Sequence, residues 1–193
     1  MRTTAMLTIA AMAGECAWAG STRPTQDGLP GGSLTICMEL GFDVLPLRLA
    51  EKLASKMLAD IGVETEWPQR LDSCTGAIVV TLSYETPATQ YRHAYAYAMP
   101  YEGTHIVVFW DRIQHKVPPP RAPILLAHVL VHEITHILQR SDRHSESGVM
   151  KASWSDDDLF QMGKKPLAFT ELDVVLIHAG VAAHSLALLG GPK

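Results

Sequence analysis

The sequence is poor in cysteine and in aromatic residues, and it carries no excess of positive charge. Three cysteines and 7% aromatic residues occur among 193 residues, and the formal net charge is −4 at pH 7. No basic run is present that could neutralise a phosphate backbone, which argues against nucleic-acid binding. Hydrophobic residues nevertheless make up 47% of the chain. That share is enough to bury one sizeable globular core.

Residues 1–19 have the features of a secretory signal peptide. Arg2 supplies a positive charge, AMLTIAAMAG is a short apolar run, and AWA, which ends at Ala19, has small residues where a signal peptidase cleaves. The apolar run is too short to cross a bilayer, and no other segment reads as long and apolar enough to do so. We therefore expect a secreted or periplasmic protein that has no membrane span and is a monomer.

The cysteines predict one disulfide. Cys16 lies within the predicted signal peptide, so its removal would leave Cys37 and Cys74. An even pair of cysteines in an exported chain suggests that the two are bonded to each other. Two separate buried thiols are the alternative, because the sequence does not show that the sulfurs meet. Neither cysteine has a second one nearby, which argues against a metal site that uses cysteine.

The rest of the chain predicts one α+β domain. Residues 20–33 are rich in Gly, Pro and Ser and predict a flexible lead, which a domain over residues 34–193 follows. The predicted strands are SLTICMEL, VETEWPQ, GAIVVTLSYE (76–85), AYAYAMP and THIVVFWDRIQ (104–114), and the predicted helices are PLRLAEKLASKMLADIG, residues 123–139 and a last helix that starts at Thr170. This order predicts a mixed twisted sheet with a packing helix, a central buried helix and a C-terminal helix.

The pattern HEITH at 132–136 has the spacing of a zinc site on a helix. His132 and His136 would lie about 40° and one turn apart, so both imidazoles can reach one ion at roughly 2.0–2.1 Å. Glu133 would lie at the rim of the same face, where it can act as general base towards a water molecule on the metal. His128 lies one turn earlier and too far from His136 to share a small ion, so we expect it to be a packed residue. The alternative for the whole pattern is a helix with two ordinary core or surface histidines.

The stretch 132–150 resembles the active-site signature of the metzincins and, within them, of the matrixin-like zinc metalloendopeptidases. That signature is H-E-x-x-H-x-x-G-x-x-H followed by a turn that contains a methionine. The resemblance implies a secreted endopeptidase in which a glutamate activates a zinc-bound water, and in which Met150 forms the floor beneath the zinc. It also implies that KASW after Met150 lines a substrate pocket. An edge strand, either AYAYAMP or THIVVFWDRIQ, would pair with an extended peptide.

Two departures from that signature leave the third zinc ligand open. Gln139 stands where the family has glycine, and Asp142 stands where it has the third histidine. Asp142 could be the ligand at the family spacing. Alternatively, the exit from the helix is two residues longer and His144 is the ligand, which we favour because RHSESGVM resembles the G-H-S…V-M segment of the family. Glu171 is a further candidate, but its position at the start of a helix already explains an acidic residue.

These residues together predict an exported zinc peptidase with Zn²⁺ as cofactor and a protein or peptide as substrate. A zinc-stabilised binding domain without turnover is an alternative from another class. A zinc hydrolase that acts on a non-peptide amide is a further alternative, because the same ligands and the same base would serve that reaction.

Overall fold

A computed structural model describes residues 33–39, 45–68, 74–86, 93–99, 101 and 104–189 of the chain. The signal peptide predicted over 1–19 lies outside these residues, and so does nearly all of the lead predicted over 20–33. Within the described ranges the chain forms a single α+β domain in which helices pack on a mixed sheet. The predicted fold class is therefore confirmed.

In the described part of the chain the sheet has five strands, and one of its edges lies beside the predicted active-site helix. The strands are β1 (Ser33–Met38), β2 (Glu64–Glu66), β3 (Ile78–Ser83), β4 (Ala96–Ala98) and β5 (His105–Phe109). Their order is β2-β1-β3-β5-β4, with β4 antiparallel to β5 and the other neighbours parallel. Of the two candidates for a peptide-binding edge, β4 is the outermost strand of this sheet and β5 is an interior strand.

One apolar helix lies at the centre of the domain, with other helices packed around it. The helices are α1 (Leu45–Ala59), α2 (Trp110–Lys116), α3 (Ala122–Gln139), α4 (Asp156–Met162) and α5 (Glu171–Leu189). Nearly every residue of α3 is buried, and α3 contacts α1, α5 and β4. At Gly180 a Cβ would come within 2.0 Å of the Leu138 carbonyl oxygen, so the absence of a side chain there lets α5 approach α3.

One local prediction is wrong, and one short helix was not predicted. The strand predicted over 104–114 ends at Phe109, and α2 follows directly. Asp111 in the first turn of α2 and Lys116 in the last suit the helix dipole, a charge signal that an apolar run does not reveal. The short helix α4 was not predicted, although Ser155 and Asp158 form a capping box at its start.

Cys37 and Cys74 form a disulfide in the structure. Their Cα atoms lie 5.9 Å apart, and the bond joins β1 to the segment before β3 across a sequence separation of 37 residues. In the chain-entropy account, closing a loop of that length stabilises the folded state by about 4 kcal/mol.

Among the residues that the structure describes, two helical segments have the length and mean hydropathy of a membrane-spanning helix. They are Pro119–Gln139, with mean hydropathy 1.2, and Glu171–Leu188, with mean hydropathy 1.4. The first is 89% buried, as expected for the central helix of a domain, whereas the second is 17% buried. The expectation that no further segment is long and apolar enough is therefore wrong, although these two helices do not establish a membrane span.

Candidate metal centre

The first two predicted ligands lie side by side on α3. The Nε2 atoms of His132 and His136 are 3.0 Å apart. The Nδ1 atom of His132 is 2.9 Å from the carbonyl oxygen of Val149, and that of His136 is 2.8 Å from the carbonyl oxygen of Ser141. A carbonyl oxygen can only accept, so each Nδ1 carries the proton and each Nε2 keeps a lone pair. Two lone pairs therefore face one point.

His144 comes from the loop after α3 and completes the cluster. Its ring centroid lies 5.2 Å from that of His132 and 4.9 Å from that of His136. One ligand atom from each of the three histidines lies within 4.8 Å of the others, a grouping that could hold a metal ion. Among the described residues, neither Asp142 nor Glu171 belongs to this group, and both side chains are exposed.

Burial favours the neutral form of all three imidazoles. Burial lowers the pKa of His132 to about 3. It also lowers the pKa of His136 and of His144, and in each case desolvation is the largest cause. A neutral ring can offer its lone pair to a cation, whereas an imidazolium cannot.

This donor set fits Zn²⁺. Three protein ligands that leave a further position open are typical of a catalytic zinc, and imidazole nitrogen is a preferred donor for it. Calcium and magnesium prefer oxygen ligands instead. The lone pairs of His132 and His136 would repel each other across 3.0 Å, and a cation between them removes that repulsion.

Glu133 is a buried carboxyl group beside this cluster. Its side chain lines the same cleft as the three histidines, and the residue is 8% exposed. Burial raises the pKa of Glu133, a hydrogen bond from the backbone N–H of Ala98 in β4 offsets part of that rise, and the net pKa is about 8. A carboxyl group whose pKa lies near neutrality can take up a proton and give it back, as a general base and acid must.

The cleft that contains these groups has a volume of about 910 Å³. One wall is formed by residues 93–98, which include β4, and another by residues 151–154, the KASW segment. Trp154 from that segment packs edge-on against His132 at a centroid distance of 5.5 Å and stacks with Tyr95 at 6.4 Å. The cleft is therefore bordered by the edge strand on one side and by aromatic side chains near the cluster.

Two further predicted residues lie in the core next to the cluster. His128 is fully buried: its Nδ1 donates to the carbonyl oxygen of Ile124 at 2.7 Å, and its Nε2 accepts from the backbone N–H of Leu167 at 3.1 Å. With both ring nitrogens in use, His128 is a packed residue, as expected. Met150 is also fully buried, and its carbonyl oxygen accepts from the backbone N–H of Ser145 at 2.7 Å, which closes the turn predicted to contain it.

The spacing from His136 to His144 is two residues longer than in the resembled signature, and the chain accommodates the two extra residues at different places after α3. Gln139 is still helical, and the left-handed turn falls at Arg140, with φ of 46°. The turn therefore comes one residue after the glycine position of the resembled signature, and the loop from Arg140 to His144 supplies the second extra residue. Arg140 makes this turn despite the cost of positive φ for a side chain other than glycine.

Sequence reasoning missed the residues that hold this loop in place. Asp173 on α5 is completely buried and accepts hydrogen bonds from Ser145, Arg143 and Thr170. The pattern T-x-x-D at 170–173 is a capping signal and could have placed Asp173 at a helix start. Its contacts with residues about 30 positions earlier left no signal in the sequence.

No protein-family profile and no curated protein matches this sequence. Among solved structures, the chain is similar to the crystal structure of archaemetzincin from Methanopyrus kandleri, with a TM-score of 0.54 and 18% identity over 78% of this chain and 96% of that chain. It is also similar to a zinc-dependent peptidase from Methanocorpusculum labreanum, with a TM-score of 0.51 and 12% identity over 75% of this chain and 99% of that chain. At these identities the likeness shows a shared fold.

Proposed function

We propose that this protein is an exported zinc endopeptidase of the metzincin type. The observation that carries the proposal is the convergence of His132, His136 and His144 beside the buried carboxyl group of Glu133. These four side chains lie in one cleft that an edge strand borders. The two similar structures, an archaemetzincin and a zinc-dependent peptidase, support the same activity.

In the proposed reaction, His132, His136 and His144 hold Zn²⁺ through ring nitrogens. Zn²⁺ held there would supply Lewis acidity, which polarises a carbonyl group and lowers the pKa of water. Glu133 takes the proton of the attacking water on its carboxylate and returns it to the nitrogen of the departing amine. The burial that raises its pKa suits it to hold that proton between the two steps.

The substrate in this proposal is an extended peptide. β4 is the outermost strand of the sheet and lines the cleft, so a peptide can bind by adding a strand beside it. Trp154, packed against His132, then borders the space for a substrate side chain. The resemblance of 132–150 to the matrixin-like signature agrees with cleavage within a peptide chain.

Export is the second component of the proposal. It rests on the signal-like sequence of residues 1–19, whose cleavage would leave residues 20–33 as a lead before the catalytic domain over 34–193. The Cys37–Cys74 disulfide supports it, because such bonds persist in oxidising compartments. We propose a secreted or periplasmic monomer.

The test is zinc analysis and a peptide-library cleavage assay on the purified protein. The wild type should bind one zinc per chain and cleave peptides, and Glu133→Gln should keep the zinc and lose cleavage. Asp142→Asn should keep both, whereas His144→Ala should bind zinc more weakly and lose cleavage. Zinc binding without cleavage of any peptide would favour the binding domain or the non-peptide hydrolase, and zinc loss only in Asp142→Asn would overturn the assignment of His144.

A further inference from the structure

The three histidines of the cluster are oriented in different ways. His132 and His136 stand on α3, and each donates a ring N–H to a backbone carbonyl oxygen. Among the described residues, the ring of His144 has no such partner, and the side chain is exposed. The position of this ring therefore depends on the backbone that carries it.

The residues on both sides of His144 bind one carboxylate through their side chains. Ser145 donates its hydroxyl to Asp173, with oxygen distances of 2.8 and 2.9 Å, and Arg143 donates a guanidinium N–H to the same carboxylate. Arg143 also donates to the hydroxyl oxygen of Ser145 at 3.2 Å, so the two neighbours of His144 are joined to each other. The contact spans 28 to 30 residues of sequence and is therefore a tertiary contact.

Asp173 is fixed at the start of α5. Its side chain is completely buried, and it accepts from the hydroxyl of Thr170 at 2.7 Å and from the backbone N–H of Thr170 at 3.1 Å. A buried carboxylate with this many donors has one favourable orientation, because any rotation would leave a buried polar group without a partner. The rigid end of α5 thus supplies an anchor for a loop that begins with a left-handed turn at Arg140.

We propose that Asp173 is a positioning residue that, through Arg143 and Ser145, holds His144 at the metal centre. This inference rests on the proposed function, since it assigns His144 to a bound zinc. Asp173 fixes the conformation of the longer loop. In the resembled signature, a glycine turn and a shorter loop serve that purpose. Asp173 also caps α5, and a purely structural role would need only its bonds to Thr170.

Variants on the two sides of Asp173 separate these roles. Ser145→Ala and Arg143→Met remove the bonds to the loop, whereas Thr170→Ala removes a bond to the helix start and leaves the loop contacts in place. Zinc affinity is measured by competition with a chelator, and the visible absorption of the Co²⁺-substituted protein reports the geometry around the metal. Thermal unfolding of the same proteins measures stability.

We expect Ser145→Ala and Arg143→Met to weaken zinc binding by about 10- to 100-fold and to change the Co²⁺ spectrum. Thr170→Ala should lower the midpoint of thermal unfolding and keep zinc affinity within about twofold of wild type, well short of that loss. Equal zinc affinity in the wild type and both loop-side variants would overturn the inference, as would an equal loss in Thr170→Ala. A wild type that binds no zinc would overturn the proposed site itself, so the two failures are distinguishable.

Discussion

His132 and His136 stand on a buried helix, whereas His144 stands on an exposed loop, and the two regions position these proposed zinc ligands by different physical means. On α3 the spacing of one helical turn brings the two rings together, and ring N–H groups bonded to carbonyl oxygens fix their tautomers. On the loop the ring has no partner of its own among the described residues, and a carboxylate from α5 anchors its neighbours.

This difference shows how a cluster of three histidines can tolerate a change in spacing. The helical pair is defined by local geometry and leaves no room for insertion, since one added residue would turn a ring by about 100°. A loop can absorb an added residue at little cost in chain entropy, provided that its end is fixed again. In this chain Arg140 makes the turn and Asp173 fixes the end.

The largest expected effect comes from removing one histidine of the pair on α3, which we call the helical half of the cluster. His136→Ala removes a ligand and also the bond to Ser141 that ties the loop to α3. We expect zinc affinity to fall by more than about 100-fold, beyond the loss typical of residues that only support a ligand. His144→Ala should weaken binding less, because His132 and His136 remain in place. Zinc competition assays on both variants measure these losses. A greater loss of zinc affinity in His144→Ala than in His136→Ala would contradict the comparison.

The next effect separates chemistry from metal binding within the helical half. Glu133→Gln removes the base and keeps the volume of the side chain, so kcat should fall by about 10²- to 10⁴-fold. Zinc content should be unchanged, because the three histidines are intact. Glu171→Gln, at an exposed position on α5, is the matched control and should leave kcat and zinc content as in the wild type. A comparable loss of kcat in Glu171→Gln would show that the loss in Glu133→Gln does not come from removal of the base.

A third prediction concerns the anchor of the loop. Burial raises the pKa of the Asp173 carboxyl, but hydrogen bonds from Thr170, Ser145 and Arg143 lower it by more, so the net shift is downward. The folded state therefore gains stability from ionised Asp173 above the unfolded pKa of about 3.9, and loses it as pH falls through the lower folded value.

Asp173→Asn should consequently cost about 3 kcal/mol of the free energy of unfolding at neutral pH, because Arg143 loses its charged partner. The difference from wild type should shrink as the pH is lowered below about 4. Denaturant unfolding of the metal-free proteins between neutral pH and the acid range measures both. A difference that stays constant with pH would show that the charge of Asp173 contributes nothing.

The smallest effect locates the turn between the two regions. Arg140→Gly should stabilise the protein by up to about 1 kcal/mol, because glycine adopts positive φ without the cost that a side chain incurs. Gln139→Gly, at the glycine position of the resembled signature, should instead destabilise it by about 1 kcal/mol, since Gln139 is helical here. Opposite signs in denaturant unfolding would confirm that the turn lies at Arg140; equal signs would contradict it.

Sequence reasoning succeeded where periodicity is strong and failed where a local charge pattern competes with it. The helix predicted over 123–139 and the last helix from Thr170 agree closely with α3 and α5. The apolar run of 104–114 predicted a strand, yet the chain becomes helical at Trp110, because hydrophobicity alone does not distinguish a short buried helix from a strand. The edge position of β4 was one of two candidates, since strand order depends on long-range pairing.

The sequence by itself determined the helical pair of histidines and the glutamate beside them, because a spacing of four residues on a helix is a local property. Tertiary structure alone decided which of Asp142 and His144 joins that pair, since both spacings are compatible with a loop. We attribute this to Asp173, a buried carboxylate that must be hydrogen-bonded and that accepts from the residues on either side of His144. Contacts between residues so distant in sequence follow from packing α5 against α3, which no local pattern encodes.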